Sequence, residues 1–249
     1  MKTEEQFSLP EETDGSAYDL DGVLIDTVRS DVKLCRLALC LELTKNRNFS
    51  ENDAEILANA VLTEDFIRPL IHVNIPDFWD IIIARLNVIA RVDLSKSKER
   101  MIATYNSART SESLPVLPGA RDALDKSRKK GRVAIVSTNL EDHLRRILAN
   151  AEGGALEVDF VIGTNTVGVT DRKPSFQPWQ FVAEKLEVRG MCMAVEDSSS
   201  NLRGIHTGST NFGVRSRWHL VGMETGSATS EKLSTLKSEG FIDAVYTTF

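Results

Sequence analysis

Two aspartates stand two residues apart in the string Tyr18-Asp19-Leu20-Asp21-Gly22-Val23-Leu24-Ile25-Asp26-Thr27. Carboxylates that close repel, so the pair calls for a cation, a shared proton or plain solvation. An Asp-x-Asp tripeptide alone fits a solvated turn; the longer string is more particular. Two further acids, Glu196-Asp197, end the apolar run Met191 to Val195. Ser137-Thr138-Asn139 ends another such run, Arg132 to Val136.

The elements that must position these groups alternate. A strand runs into Asp19, and Gly22 supplies backbone freedom beside Asp21 before a helix that starts near Asp26 or Thr27. Asp26 reads as a helix cap rather than a reacting group. Helix Ala120 to Lys130 stops at Gly131 with basic residues before it. Strand Arg132–Val136, helix Glu141–Asn150, strand Phe160–Ile162, helix Pro178–Leu186 and strand Met191–Val195 follow, and Asn211–Val214 and Ala244–Tyr246 read as edge strands. This alternation predicts an α/β fold with a Rossmann-like parallel sheet. In such a sheet ligands sit beyond the carboxyl ends of the strands, where Asp19/Asp21, Ser137/Thr138 and Glu196/Asp197 all fall.

Between the first strand and the rest the pattern is helical. Val32, Cys35, Leu39 and Leu43 fall at spacings of three and four, Ser50 starts a helix, Pro69 interrupts, and an apolar helix spans Phe78 to Ala90. Its stripe Phe78, Ile81, Ile82, Leu86 and Ile89 reads as core. The expected organisation is residues 1–28 and 114–249 as the α/β core and residues 29–113 as an inserted helical domain. The first strand reads as short, because only Ala17 and Tyr18 precede Asp19 as apolar residues and Asp14, Gly15 and Ser16 are turn formers. Residues 1–15 read as polar and frayed.

Composition narrows the classes. A net charge of −6 argues against a nucleic-acid binder, whose affinity rests on neutralising phosphates. Cys35, Cys40 and Cys192 are odd in number and lack ligand spacing, which fits a reducing compartment. The acidic start MKTEEQFSLPEETDGS has no apolar signal-peptide core, and Phe78 to Ala90, broken by Asp80, Arg85 and Asn87, is too short and polar to span a bilayer. The expectation is a cytoplasmic monomer with no membrane or nucleic-acid partner. His72, His143, His206 and His219 form no cluster in the sequence.

The string around Asp19 resembles the first motif of the haloacid dehalogenase-like hydrolases, a superfamily of mostly phosphatases. Val133-Ala134-Ile135-Val136-Ser137 resembles the second motif, Lys173-Pro174-Ser175-Phe176 with the following helix the third, and Val195-Glu196-Asp197-Ser198 the fourth, in the family's order. The resemblance implies that Asp19 is a nucleophile forming an aspartyl-phosphate. It implies that Asp21 is the general acid and then base, that Ser137 holds a phosphoryl oxygen, and that Lys173 balances the charge. It also implies Mg²⁺ held by the Asp19 side chain, the Asp21 carbonyl and Asp197, with Glu196 helping directly or through water. The insert resembles the family's small helical cap, which closes over the substrate and chooses the leaving group.

Asp21 separates the chain from the dehalogenase branch, which lacks an acid there. Glu196-Asp197-Ser198 leans toward the branch of β-phosphoglucomutase and sugar-phosphate phosphatases. The mutases carry a histidine about twelve residues after the nucleophile, where this chain has Asp31, so hydrolysis of a small phosphorylated metabolite is favoured over isomerisation. The alternatives are a β-phosphoglucomutase-like phosphomutase and a catalytically weak relative acting as a binding or regulatory domain. Two departures accompany the resemblance. Arg172 stands where the family often has glycine, and the segment after Asp197 lacks the usual early glycine and the small-residue helix, which would move the helix behind the acids.

Overall fold

The computed structural model describes residues 7–70, 75–168, 171–225 and 230–249. The chain divides into two compact units, Met1–Asp26 with Pro115–Phe249, and Thr27–Leu114.

The first unit is built on one parallel sheet of six strands. They are β1 (Thr13–Tyr18), β2 (Arg132–Val136), β3 (Phe160–Ile162), β4 (Met191–Glu196), β5 (Trp218–Met223) and β6 (Ala244–Tyr246). Their order is β3-β2-β1-β4-β5-β6, which puts the earliest strand at the centre. β1 pairs with both neighbours, Tyr18 opposite Ile135 on one side and Val195 on the other, and its register with β4 shifts between Thr13 and Gly15. Continued one residue, this register sets Asp19 level with Val136 and Glu196, with Ser137 one residue further along. Strands buried on both faces read as continuous apolar runs, as β2 and β4 do. One face, with Ala17, Ala134, Val136, Ala194 and Leu220, packs on Trp179 and Val182, on Leu202 and Ile205, and on Leu233 and Leu236. Tyr18 is directed to the other face, where its hydroxyl meets Ser127 Oγ at 2.6 Å on the helix Ala120–Lys130.

β1 corrects the expectation of a short strand. It has six residues and its turn formers each have a tertiary use. The Asp14 carboxylate accepts from the backbone N–H groups of Arg189 and Gly190 at 2.9 and 2.7 Å, capping the turn into β4. A β-carbon at Gly15 would lie 2.6 Å from Val188 Cγ2, so no side chain fits there. The chain ahead of β1 is not frayed either from residue 7 onward. Phe7 is buried with its ring against Tyr246 and Phe249, while residues 1–6 lie outside those described. The expected edge strand at Asn211–Val214 is absent. Helix Ser199–Asn211 runs through Asn211, and the fifth strand begins at Trp218.

The second unit is helical, with helices Thr27–Arg47, Glu51–Val61, Ile75–Ala90 and Lys98–Ser111 and the single turn Glu64–Ile67. Ser50 caps the second, its Oγ accepting from Asp53 N at 3.1 Å. In Ile75–Ala90 the buried stripe is Phe78, Trp79, Ile82, Ile83 and Leu86. Ile81 and Ile89 are exposed, which corrects the expected stripe. At 3.6 residues per turn Ile81 lies off the Phe78–Ile82–Leu86 row, with Trp79 and Ile83 buried on the row's other side, whereas Ile89 follows the row but sits in the last turn of the helix. Inside this unit Tyr105 Oη donates to Asp31 Oδ1 at 2.6 Å, and Arg109 Nη1 lies 3.5 Å from the same oxygen. Among the described residues, no helix is long and apolar enough to cross a membrane.

Candidate active site

The central strands deliver acids and one lysine to a single point. Asp19 follows β1, and its backbone N–H donates to the Val195 carbonyl at 2.9 Å, which fixes it against the end of β4. Lys173 reaches in from the loop before helix Gln177–Lys185. Its ammonium is 2.7 Å from Asp19 Oδ1 and 2.7 Å from Glu196 Oε2, with all three side chains buried. The other Glu196 oxygen, Oε1, accepts from the backbone N–H groups of Asp197 and Ser198, both at 3.1 Å. Glu196 thus anchors the lysine with one oxygen and shapes the turn that presents Asp197 with the other. Carboxylate oxygens of Asp19, Glu196 and Asp197 lie within 4.8 Å of one another.

The electrostatics follow from this crowding. Burial, and then the neighbouring Glu196, push the Asp19 carboxyl up to about 7, against the pull of Lys173. Burial opposes the charge on Lys173, but Asp19 and Glu196 outweigh it and hold the ammonium above the ordinary lysine range. Lys173 also lies 4.7 Å from the ring centre of Trp179, a further favourable contact for a buried cation.

Asp21 and Ser137 flank this centre. Gly22 adopts φ 79°, the left-handed conformation that glycine takes at low cost, and its N–H closes the loop onto the Ile25 carbonyl at 2.9 Å. Ser137 is buried at the end of β2, its N–H donating to the Ile162 carbonyl at 3.0 Å. Its Oγ accepts from the Asn139 N–H at 3.2 Å. Asn139, to which the sequence reading gave no role, donates from Nδ2 to Asp21 Oδ2 at 3.0 Å. The structure therefore brings Asp19, Lys173, Glu196 and Asp197 into one cluster and links Asp21 through Asn139 to the loop of Ser137. Asp26 directly precedes helix Thr27–Arg47. His143, His206 and His219 belong to no group of potential metal ligands among the described residues, and His72 lies outside them.

The helix after Asp197 carries glycines at positions 204 and 208. Ser198 caps it, Oγ accepting from Asn201 N at 3.4 Å. A β-carbon at Gly204 would fall on the Pro174 carbonyl, and one at Gly208 on the Phe176 side chain. This helix therefore packs closely on the Lys173–Pro174 loop, and the close approach holds the lysine in place. Gly204→Ala is expected to destabilise the fold by about 1–3 kcal/mol in denaturant unfolding, because overpacking outweighs alanine's helix preference. A stability gain would contradict the close packing.

The site is thus a buried lysine bridging Asp19 and Glu196 at the carboxyl ends of a parallel sheet, with Asp197 beside them and Asp21 two residues after Asp19. The chain belongs to the haloacid dehalogenase-like hydrolase family, whose model matches residues 14–207. Comparison with curated protein sequences finds no match. Among solved structures, a hydrolase of this family from Deinococcus radiodurans R1, with bound phosphate and sodium, is similar at 20% identity and a TM-score of 0.60, covering 96% of this chain and 93% of that one. A putative β-phosphoglucomutase from Thermotoga maritima is similar at 20% identity and a TM-score of 0.57, covering 94% of each chain. The defluorinating L-2-haloacid dehalogenase Rha0230 is similar at 13% identity and a TM-score of 0.55, covering 97% of this chain and 95% of that one. At these identities the likeness is one of fold.

Proposed function

We propose that the chain is a Mg²⁺-dependent phosphatase that hydrolyses a small phosphorylated metabolite, a sugar or polyol phosphate, through an aspartyl-phosphate on Asp19. The observation that carries this reading is the charge imbalance around Lys173. One buried ammonium faces the buried carboxyl groups of Asp19, Glu196 and Asp197, with Asp21 close in sequence. An all-oxygen donor set with excess negative charge fits a hard divalent cation. Asp19, Asp197 and the Asp21 carbonyl would hold it. Glu196, whose oxygens already serve Lys173 and the Asp197–Ser198 turn, would support them. When bound, Mg²⁺ supplies charge stabilisation to the phosphoryl oxygens.

The chain's own groups then divide the work. Asp19 attacks phosphorus, and the bond to the leaving alcohol oxygen breaks. Asp21 gives that oxygen its proton. Asp21 next takes a proton from water, which attacks phosphorus and returns Asp19 as a carboxylate with release of phosphate. Lys173 offsets the charge on Asp19 and holds it in place. Ser137 Oγ and backbone N–H groups at the start of helix Glu141–Ala149 would receive the phosphoryl oxygens.

Asp21 favours this chemistry over dehalogenation, which needs no proton donor two residues after the nucleophile. Asp31 favours hydrolysis over isomerisation. It is buried and engaged by Tyr105 and Arg109, and no histidine stands there to assist a returning phosphoryl group.

Mg²⁺ binding tests the reading. The cation requires ionised Asp19, whose carboxyl titrates at about 7 without metal. Affinity is expected to be level above pH 8 and to fall up to about tenfold per pH unit below about 7, one unit being about 1.4 kcal/mol. Because the folded value lies above the ordinary 3.8, protonation of Asp19 stabilises the metal-free fold, and that contribution fades as pH rises through about 7. Calorimetric titration across this range measures the first effect. Mg²⁺ affinity that does not change between pH 5.5 and 8 would contradict it.

A further inference from the structure

Asn139 is placed with more care than a loop asparagine needs. Its side-chain Nδ2 donates to Asp21 Oδ2 at 3.0 Å, while its own backbone is held at both ends. The N–H donates to Ser137 Oγ at 3.2 Å, and the carbonyl accepts from Thr164 N at 3.0 Å. The adjoining Thr138 carbonyl accepts from Thr164 Oγ1. The segment after β2 is thus fastened to the segment after β3, and the amide is aimed at Asp21 from a fixed base.

We propose that Asn139 is a positioning residue that selects which oxygen of Asp21 handles the proton. The inference rests on the reading of Asp21 as general acid and base. An amide N–H is a donor with no lone pair to offer, so it cannot accept a hydrogen bond from a protonated Oδ2. The acidic proton of Asp21 is driven to Oδ1, and the carboxyl plane is held by the Asn139 contact. In the first step the Asp19–phosphorus bond forms and the phosphorus–alcohol oxygen bond breaks. The electron pair of the broken bond stays on the alcohol oxygen, which takes the proton from Oδ1. In the second step a water oxygen bonds to phosphorus, the Asp19–phosphorus bond breaks with its pair returning to Asp19, and the water's proton goes back to Oδ1. Without Asn139 the donor at Oδ2 is gone and a proton on that oxygen is no longer disfavoured, so the acid is out of place for part of the time.

This role predicts a dependence on the leaving group. An aryl phosphate releases a stable phenolate and needs little help from an acid, whereas an alkyl phosphate such as glycerol phosphate releases an alkoxide and needs a proton. The measurement is kcat/KM, which reads only through departure of the alcohol, for p-nitrophenyl phosphate and glycerol phosphate with Mg²⁺. Asn139→Ala is expected to lower the glycerol phosphate value by about 10- to 100-fold and the aryl value by less than about threefold. Asn139→Asp keeps the shape but turns an acceptor toward Asp21, and the same selective loss is expected. The retained aryl rate reports that each variant is folded. Equal losses on both substrates, or no loss on glycerol phosphate, would overturn the proposal. Asp21→Asn run beside them separates two failures. If it lacks the alkyl-selective loss, the reading of Asp21 is wrong. If it has that loss and the Asn139 variants do not, only the role of Asn139 is wrong.

Discussion

Asp19→Asn is expected to lower Mg²⁺-dependent phosphate release by about 10⁴-fold or more, on an aryl phosphate and on sugar phosphates alike. Loss of a nucleophile that forms the covalent intermediate is of this size in other enzymes with a covalent step. An amide cannot attack phosphorus, yet its oxygen can still accept from Lys173, so the cluster keeps its shape. Ionising Asp19 is disfavoured by burial and by Glu196, so the variant is expected to be at least as stable as the wild type at pH 8 without metal. Phosphate release and a thermal melt on the same preparation measure both. A folded variant as active as the wild type would remove Asp19 from the mechanism.

Lys173→Met acts in the opposite way, through stability. Its ammonium is the shared counter-ion of Asp19 and Glu196, at 2.7 Å from each. Removing one partner from a buried ion pair and leaving the other charged costs about 3–5 kcal/mol. The loss is expected to be larger at pH 8, where Asp19 is ionised, than at pH 5.5, where a proton neutralises it. Adding Glu196→Gln should recover part of the stability, since the orphaned charge is gone. Urea unfolding of the two single variants and the double variant measures this as a cycle. A loss under about 1 kcal/mol at pH 8 would contradict a structural role for this ion pair.

Much of the fold was legible because local pattern and tertiary role agree there. The apolar runs Arg132–Val136 and Met191–Val195 are buried on both faces, so they look the same in sequence and in the sheet. β1 was harder to read. Asp14 and Gly15 are turn formers, and here a capping carboxylate and a close approach to Val188 override local propensity. The same holds for Gly204 and Gly208, whose absence of side chains matters only where Pro174 and Phe176 pack against them. Asn211–Val214 is not a strand, because the helix extends through Asn211 and the strand starts only at Trp218. At the site, the acids and Lys173 stood out by type and order. Asn139 did not, because an asparagine after a strand is ordinary in sequence and its contact with Asp21 crosses 118 residues.

The most direct measurement is chemical trapping of the intermediate. The protein is mixed with Mg²⁺ and an excess of a phosphate ester, quenched and reduced with borohydride, which converts an aspartyl-phosphate to homoserine. Mass spectrometry of the peptide containing residue 19 then reads the product. Homoserine at position 19 is expected, dependent on the ester and absent from Asp19→Asn. Phosphate release with no reducible group at position 19, or with the label on another residue, would contradict a nucleophilic Asp19.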